Sequence, residues 1–479
     1  MALGFLPLLA QAQTTTQSPA QEKTPAFSRA GWSADLEQLQ SLLATNYPGL
    51  EWHARRGVDL PGIASRARAA LEGARSDAEA HGIFERLLAR LGDEHLSIEW
   101  DANPPDPADD ASLPDCVRFG FRDDPDRHAI AARLEGYQDI SPTGATIGAG
   151  FVTVGGRLVG VLRVASFVPS RTQCEYFLRE RGPAAPAGGA LAPYEDAIGI
   201  GASRLYLSEI EERLRQLAAR RPAALLVDVA GNGGGKQLAI TLARMLGGEA
   251  VRAPSLAFVR EPVRAQELAA RAERLTRTMR KAPRAEREFV ASIAQPMAAA
   301  ARAAREPCDL APLWRGAAVD CSNLVTGPFY AGGFVEHELP DGWLGKPWAG
   351  EVSYTAEYGA HPRAWTGPVI VLVDENSASA TELFAAMLQD AHGALLIGAP
   401  TAGAGCGWTM GQYTSSRILA HSGARVMIPD CARLRADGTN EIDGVQPDLL
   451  IGFRRADTQR QRAGRLAQAL PEALGRAVR

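Results

Sequence analysis

Two serines stand where an apolar stretch gives way to a helical one. Residues 371–382 read Val-Leu-Val-Asp-Glu-Asn-Ser-Ala-Ser-Ala-Thr-Glu, and their small side chains allow a tight strand-to-helix turn. A serine at a helix N-terminus lies near unpaired backbone N–H groups and the positive end of the helix dipole, which favour a developing oxyanion. Ser379 is therefore a candidate nucleophile, with Ser377 two residues before it. Taken alone, however, the pair is better explained as helix capping, because serine is a preferred N-cap residue.

Three other segments accompany this turn. They are Asp-Val-Ala-Gly-Asn-Gly-Gly-Gly at 228–235, Ile-Gly-Ala-Pro-Thr-Ala-Gly at 397–403 and Asp-Gly-Val-Gln-Pro-Asp at 443–448. Together with the serine turn they resemble, in order, the motifs of the tail-specific (C-terminal processing) peptidases, and they cover most of residues 205–451. The resemblance implies that Ser379 is the nucleophile, since it falls on the middle serine of the family's S-A-S-A-S-E motif.

The glycines at 233–235 also have a physical role of their own. Glycines after a buried strand let the backbone approach a ligand closely and direct N–H groups toward it. We predict that the N–H groups of Gly234 and Ala380 form an oxyanion hole, in which one donor is typically worth about 3 kcal/mol of transition-state stabilisation. For any single glycine, a plain loop before a helix is the competing interpretation.

The general base departs from the family pattern. The tail-specific peptidases carry a lysine in an F-G-K-G segment, where this chain has Ala404 within Ala-Gly-Ala-Gly at 402–405. An alanine side chain cannot accept a proton, and a serine hydroxyl without a base is a poor nucleophile at neutral pH. Either another group replaces the lysine or the protein is catalytically silent.

The tricorn-like branch of the same superfamily uses a histidine, at the end of the N-terminal helical region, and a glutamate. By this resemblance His95 is the base, and an imidazole suits that task because its ordinary pKa is about 6.5. Glu441, just before the last motif, would orient the imidazole. A lone histidine is more often structural, and Glu441 fits a solvated loop charge equally well. Lys236, directly after the glycines, is an alternative base if its ammonium is desolvated.

The rest of the chain must position these residues. We predict five regions: a signal-like segment and linker at 1–25, an N-terminal helical domain at 26–100, a β-rich segment at 101–195, a catalytic core at 196–455 and a C-terminal helix at 456–479. Buried strands alternate with helices in the fourth region, which indicates an α/β core. The resemblance implies a crotonase/Clp-protease-like core of ββα units. An Ala/Arg/Glu-rich run at about 261–306 predicts a helical insertion that would gate the site as a lid.

Within the β-rich segment the pattern places individual elements. Strands are predicted at 117–121, 151–154 and 158–166, with Gly155 and Gly156 forming a hairpin turn between the last two. Residues 183–193 are rich in Ala, Gly and Pro, which predicts a flexible connection.

Composition bounds the function further. With 479 residues, of which 46% are hydrophobic and 22% charged, the chain is ordinary globular material. A formal net charge of −4 offers no broad positive field, so nucleic-acid binding is not expected. Apart from the start, no stretch approaches the ~18 apolar residues of a membrane span. We predict no metal or organic cofactor and leave the oligomeric state open.

The N-terminus and the cysteines predict the compartment. The apolar start, with Ala10 and Ala12 spaced as in an A-x-A cleavage site, is typical of a secretory signal that lacks its basic beginning. Six cysteines without a C-x-x-C pair suit an oxidising environment. We hypothesise disulfides between Cys308 and Cys321 and between Cys406 and Cys431, with six reduced cysteines as the alternative. A periplasmic or secreted location follows.

The sequence thus predicts a serine peptidase that cleaves peptide or protein substrates through an acyl-enzyme on Ser379. The alternative is a catalytically silent relative that binds a ligand or acts as a scaffold, since the same superfamily includes a retinoid-binding protein. The missing lysine favours the alternative, whereas a serine retained together with His95 favours the enzyme. The distance between those two side chains would discriminate between them.

Overall fold

A computed structural model describes residues 27–101, 112–123, 126, 129–182, 191–411 and 416–478. The predicted signal-like segment, most of the flexible connection at 183–193 and the last residue of the C-terminal helix therefore lie outside the described residues. Within the described ranges, no helix combines the length and the apolar character needed to cross a membrane.

Helices make up much of the described chain. They are α1 Arg29–Asn46, α2 Leu50–Arg55, α3 Leu60–Gly73, α4 Asp77–Ala89, α5 Asp115–Arg118, α6 Arg171–Arg181, α7 Leu191–Ala219, α8 Leu238–Gly247, α9 Pro262–Thr278, α10 Arg284–Ala303, α11 Asp341–Leu344, α12 Ala349–Val352, α13 Ala380–Asp390 and α14 Gln459–Ala477.

The strands lie between these helices. They are β1 Ser97–Glu99, β2 Gln138–Asp139, β3 Gly148–Val154, β4 Arg157–Arg163, β5 Ala224–Asp228, β6 Ser255–Val259, β7 Leu324–Tyr330, β8 Val369–Val373, β9 Leu395–Gly398, β10 Ser416–Ile418, β11 Arg425–Met427, β12 Cys431–Leu434 and β13 Leu449–Leu450.

A mixed sheet forms the centre of the fold, in the order β13-β9-β8-β5-β4-β3-β2. Pairing is parallel from β13 to β4 and antiparallel from β4 to β2. Helices α7, α8 and α13 pack on one face and α14 on the other. Because both faces are covered, β5 and β8 are buried along their whole length. The predicted α/β class is confirmed.

The N-terminal helical region packs around its own core. Helices α1, α3 and α4 begin at Ser28, Asp59 and Ser76, each of which accepts a backbone N–H with its side chain. Their apolar faces meet one another and also residues 419–428 of the C-terminal half. Strand β1, directly after α4, pairs with β11, and this pairing ties the region to the rest of the chain.

The stretch at 101–195 differs in part from expectation. The hairpin at Gly155 and Gly156 is present between β3 and β4. The predicted strand at 117–121 is wrong, because Pro114 starts the short helix α5 there and Cys116 is bonded to Cys174. Since β4 also pairs with β5, the strands of this stretch belong to the main sheet.

The insertion at 261–306 is helical, as predicted, and consists mainly of α9 and α10. The two helices pack against each other and against an antiparallel sheet in the order β12-β6-β7. Both hypothesised disulfides, Cys308–Cys321 and Cys406–Cys431, are formed.

Candidate active site

Ser379 occupies a strained turn that follows β8, an interior strand of the main sheet. It lies between β8 and α13, with φ 56° and ψ −113°, a region that residues other than glycine rarely adopt. Such a conformation costs on the order of 1–3 kcal/mol and persists only where surrounding contacts impose it. Ser379 is the N-cap residue of α13, so it does stand where the sequence places a capping serine.

Ser377, the other serine of the turn, has a structural role. It is fully buried, and its hydroxyl donates to the Val229 carbonyl at 3.0 Å and accepts the N–H of Asp374 at 3.0 Å. Ser379 is half-buried and lines a cavity of about 630 Å³. Only Ser379 of the pair is therefore placed to meet a substrate.

Glu382 fixes the turn from inside the protein. Its carboxylate is fully buried and accepts four hydrogen bonds, from the N–H of Ser379 and of Ala404 at 2.8 Å and from the Thr401 hydroxyl and the Gly403 N–H at 2.7 Å. Burial raises the pKa of this carboxyl, and the four donors oppose that shift. Glu382 thus joins the serine turn to the loop at 401–404.

His95 comes from the other end of the chain and reaches the same cavity. The buried Asp93 accepts its backbone N–H at 3.0 Å, and the Trp408 ring lies edge-on to the imidazole at 5.0 Å. The imidazole Nδ1 bonds to the carbonyl of Ala404. A carbonyl can only accept, so Nδ1 carries the proton and Nε2 holds the free lone pair.

The surroundings of His95 keep it neutral. Burial, with a smaller contribution from the Arg433 guanidinium, lowers the pKa of His95 to about 4, although the hydrogen bond to the Ala404 carbonyl opposes the shift. The imidazole is therefore in its proton-accepting form at neutral pH. No hydrogen bond joins the side chains of His95 and Ser379 among the described residues, so a small closure or a bridging water is needed to connect them.

The predicted oxyanion donor Gly234 requires correction. Its N–H already donates to the Asn232 side chain at 2.9 Å. The N–H of Gly235, which lines the cavity of Ser379, and that of Ala380 at the start of α13 have no acceptor in the part of the chain that the structure describes. The free donors are therefore Gly235 and Ala380.

Glycine is required at both turn positions. Gly234 has φ 101° and Gly235 has φ 142°, which L-residues with a side chain rarely adopt. A Cβ on Gly234 would approach the Ala378 carbonyl oxygen to 2.7 Å and the Ala380 nitrogen to 2.8 Å. The glycine turn therefore packs directly against the serine turn.

Glu441 does not orient His95 in the way expected. It is fully buried in a 3-10 helix, Glu441–Asp443, and accepts from Arg433 Nε at 2.5 Å. Burial raises the pKa of Glu441 to about 7, although the Arg433 charge opposes this shift. Arg433 in turn donates to the carbonyls of Ser379 at 2.9 Å and Gly405 at 2.7 Å. Glu441 thus supports the serine turn through Arg433, and the Ala404 carbonyl takes the place expected for it beside His95.

Lys236, the alternative base, lines the same cavity but is exposed to solvent. It has no ion-pair partner among the described residues. Its exposed position differs from the desolvated setting in which lysine bases act.

Comparison with known proteins identifies the family. The model of peptidase family S41 matches residues 201–451, which is more than half of the chain. The chain belongs to peptidase family S41. The matched range contains Ser379, Glu382, Arg433 and Glu441, whereas His95 lies outside it.

Solved structures agree with the fold of an S41 peptidase. Mature CPAF shares 14% identity with a TM-score of 0.55, covering 94% of this chain and 98% of that one. Mature CPAF complexed with lactacystin gives the same identity and TM-score, with coverage of 94% and 99%. A putative peptidase from Parabacteroides merdae shares 15% identity at a TM-score of 0.46, covering 92% and 96%. At these identities the likeness to CPAF shows a common fold.

Two supporting residues of this S41 peptidase were missed from sequence. Glu382 lies within the serine motif, and its spacing of three residues from Ser379 is the signature of a helix-capping pair. That spacing was the available signal. Arg433 carries no comparable signal, because its partners at 379, 405 and 441 meet it only in the folded chain.

Proposed function

We propose that this S41 peptidase cleaves peptide bonds through an acyl-enzyme on Ser379, with His95 as the general base. The observation that carries the proposal is the placement of both side chains in one cavity, with the free lone pair of His95 on Nε2. The use of histidine in place of lysine would put the protein with the tricorn-like branch of its superfamily.

The chemistry follows from these positions. Ser379 Oγ attacks the scissile carbonyl carbon while His95 Nε2 takes the hydroxyl proton. The negative charge that develops on the carbonyl oxygen is held by the N–H groups of Gly235 and Ala380. His95 then returns the proton to the leaving amine as the C–N bond breaks. Water then enters, gives a proton to His95 and attacks the carbonyl carbon of the acyl ester. As the ester C–O bond breaks, His95 returns that proton to Ser379 Oγ, which releases the acid product and restores the free serine.

The base needs support when it becomes an imidazolium. The Ala404 carbonyl bonded to Nδ1 places a negative dipole end against the new positive charge. The positive charge of Arg433 destabilises the imidazolium, and the buried carboxylate of Glu441, which Arg433 binds, offsets that positive charge. Glu441 therefore contributes to catalysis as a positioning residue that neutralises Arg433.

We further propose that the protein acts outside the cytoplasm. All six cysteines are paired, as Cys116–Cys174, Cys308–Cys321 and Cys406–Cys431. Disulfides of this kind persist in oxidising compartments and are rare in the cytosol. Cell fractionation with detection of the mature chain in the periplasm or medium tests this location.

Labelling with a fluorophosphonate probe tests the mechanism. We expect the wild type and Lys236→Ala to label, Ser379→Ala to remain unlabelled and His95→Ala to label at least about 100-fold more slowly, which is the usual contribution of a general base. Circular dichroism should show that each variant is folded. If the folded wild type does not label, the silent ligand-binding alternative replaces the peptidase, and native mass spectrometry of the purified protein should be used to find its ligand.

A further inference from the structure

A second cavity adjoins that of Ser379. We call the 630 Å³ cavity that contains Ser379 the serine cavity. The second, of about 520 Å³, is lined by the glycine turn 233–235, by Ser166 and residues 168–170, and by Arg122, and we call it the glycine cavity. Gly235 lines both cavities. A peptide bond held at Ser379 would therefore extend into one cavity on each side.

The serine cavity is walled by large apolar and aromatic side chains. They are Leu256, Phe258, Tyr330, Phe334, Tyr354 and Trp408. Helix α9 of the insertion supplies a further wall, and its Val263, which is 40% exposed, stands in the cavity lining. The volume of this cavity falls within the range of about 300–1,000 Å³ that is typical of ligand sites.

The arginines of the serine cavity are already neutralised. Arg264 lies over the Phe258 ring at 4.0 Å and pairs with Asp430 at 3.3 Å, and it is 3% exposed. Arg271 pairs with Glu267 at 3.0 Å. Because these charges are matched, the part of the cavity formed by α9 and the aromatic side chains favours an apolar side chain over a charged one.

The junction of the two cavities has the opposite character. Arg122 in the glycine cavity is exposed and has no ion-pair partner in the described ranges, while its neighbour Asp123 is bound by Arg171 at 2.5 Å. Lys236, next to Gly235, is likewise exposed and unpaired there. The described carboxylates that line either cavity, those of Asp123 and Glu267, are both paired. Among the described residues, each cavity therefore has one cation without an ion-pair partner, Arg122 in the glycine cavity and Lys236 in the serine cavity, and no unpaired carboxylate.

From this we infer the substrate class, which rests on the proposed peptidase function. The preferred substrate is an extended peptide with a bulky apolar or aromatic residue in the serine cavity and an acidic side chain, facing Arg122, in the glycine cavity. Burial of the apolar or aromatic side chain in the serine cavity contributes favourable binding free energy. The acidic side chain in the glycine cavity gains from charge complementarity, which discriminates between substrates more than it adds affinity.

Internally quenched peptides test this inference. All peptides are amidated at the C-terminus and have a Gly/Ser framework. One parent peptide contains Phe-Glu and a second contains Glu-Phe. In each parent, Phe is replaced by Ala in one variant and Glu by Lys in another. We expect kcat/KM to fall about 10- to 100-fold on loss of the Phe. It should fall about 2- to 5-fold when Glu becomes Lys, as for an exposed ion pair.

Variants assign the two preferences to their cavities. Arg122→Glu should reverse the choice between Glu and Lys peptides, whereas Arg460→Glu, an exposed arginine on α14, should leave it unchanged. Val263→Trp should slow cleavage of the Phe peptide, and Val478→Trp, at a similarly exposed valine, should not.

The outcomes separate the inference from the function on which it rests. If Ser379 labels with fluorophosphonate but the peptides are cleaved at equal rates, or Arg122→Glu changes nothing, the inference is overturned and the peptidase stands. Cleavage that appears only when the peptide carries a free C-terminal carboxylate also overturns it. Failure of the folded protein to label removes the proposed function and the inference together.

Discussion

The proposed nucleophile and the proposed base are held in contrasting ways. Ser379 lies between a buried strand and helix of the central sheet, and Glu382 and Arg433 bind its backbone N–H and carbonyl. His95 lies at the end of the N-terminal helical region, and the hydrogen bond of its imidazole is to the Ala404 carbonyl of a distant loop. The core fixes the nucleophile, whereas the position of the base depends on how two separate segments pack. The base is therefore the adjustable half of the site.

The largest expected effect lies on the base side. His95→Gln removes the proton acceptor, and we expect kcat/KM to fall about 10³-fold, within the range of general bases. His81→Gln is the matched control, because His81 belongs to the same helical region but stacks on Trp100. Thermal unfolding measured alongside should change little for His95→Gln. An unaffected rate in this variant would assign the base elsewhere.

On the nucleophile side, Glu382→Gln should act on stability and activity together. A glutamine amide nitrogen cannot accept the N–H groups that the carboxylate binds, so at least one buried donor loses its partner, at about 1–3 kcal/mol. Displacement of the turn should reduce the labelling rate of Ser379 about 100-fold. Glu375→Gln, at a partly exposed carboxylate of the same loop, is the control. Normal labelling of folded Glu382→Gln would show that the turn does not need this carboxylate.

A disulfide distinguishes the two regions further. Cys406–Cys431 ties the loop that carries Trp408 to strand β12, whereas Cys308–Cys321 lies away from the cavity. Replacing either pair by serine should lower stability by about 3 kcal/mol, as expected for loops of this length. Only loss of Cys406–Cys431 should also lower kcat/KM, about 10-fold, because the loop that carries Trp408 would then no longer hold the Trp408 ring against the His95 imidazole. Equal activities of the two double variants, measured well below their unfolding temperatures, would contradict this distinction.

The smallest effect concerns pH. Because burial lowers the pKa of His95 to about 4, the imidazole remains a free base well below neutrality. An ordinary imidazole, with a pKa of about 6.5, would be mostly protonated at pH 5. Protonation of His95 alone should therefore lower kcat/KM less than about two-fold between pH 8 and pH 5, and it should abolish activity as the pH drops through about 4. An acidic limb near pH 7 would instead implicate Glu441 or Asp93, whose pKa values burial raises to about 7.

The parts of the site that sequence predicts are those encoded locally. The strands β5 and β8 are continuous apolar runs, and the serine and glycine turns follow them directly, so periodicity and motif together place Ser379 and the glycines. The shift from Gly234 to Gly235 could not be foreseen, because it depends on which N–H the Asn232 side chain takes. The partners of Glu441 and His95 are set by tertiary packing across the chain. At 117–121, the alternation of apolar residues predicted a strand, whereas the chain there forms a short helix that starts after Pro114.

The contact between His95 and Ala404 has a consequence for how such proteins are recognised. The support of the imidazole at position 404 comes from the main-chain carbonyl, which every residue type possesses. The residue type at position 404 therefore does not reveal this contact, which depends on the position of the backbone. A survey of genomes that requires the lysine would score this protein as inactive without considering whether His95, held by that carbonyl, serves as the proposed base.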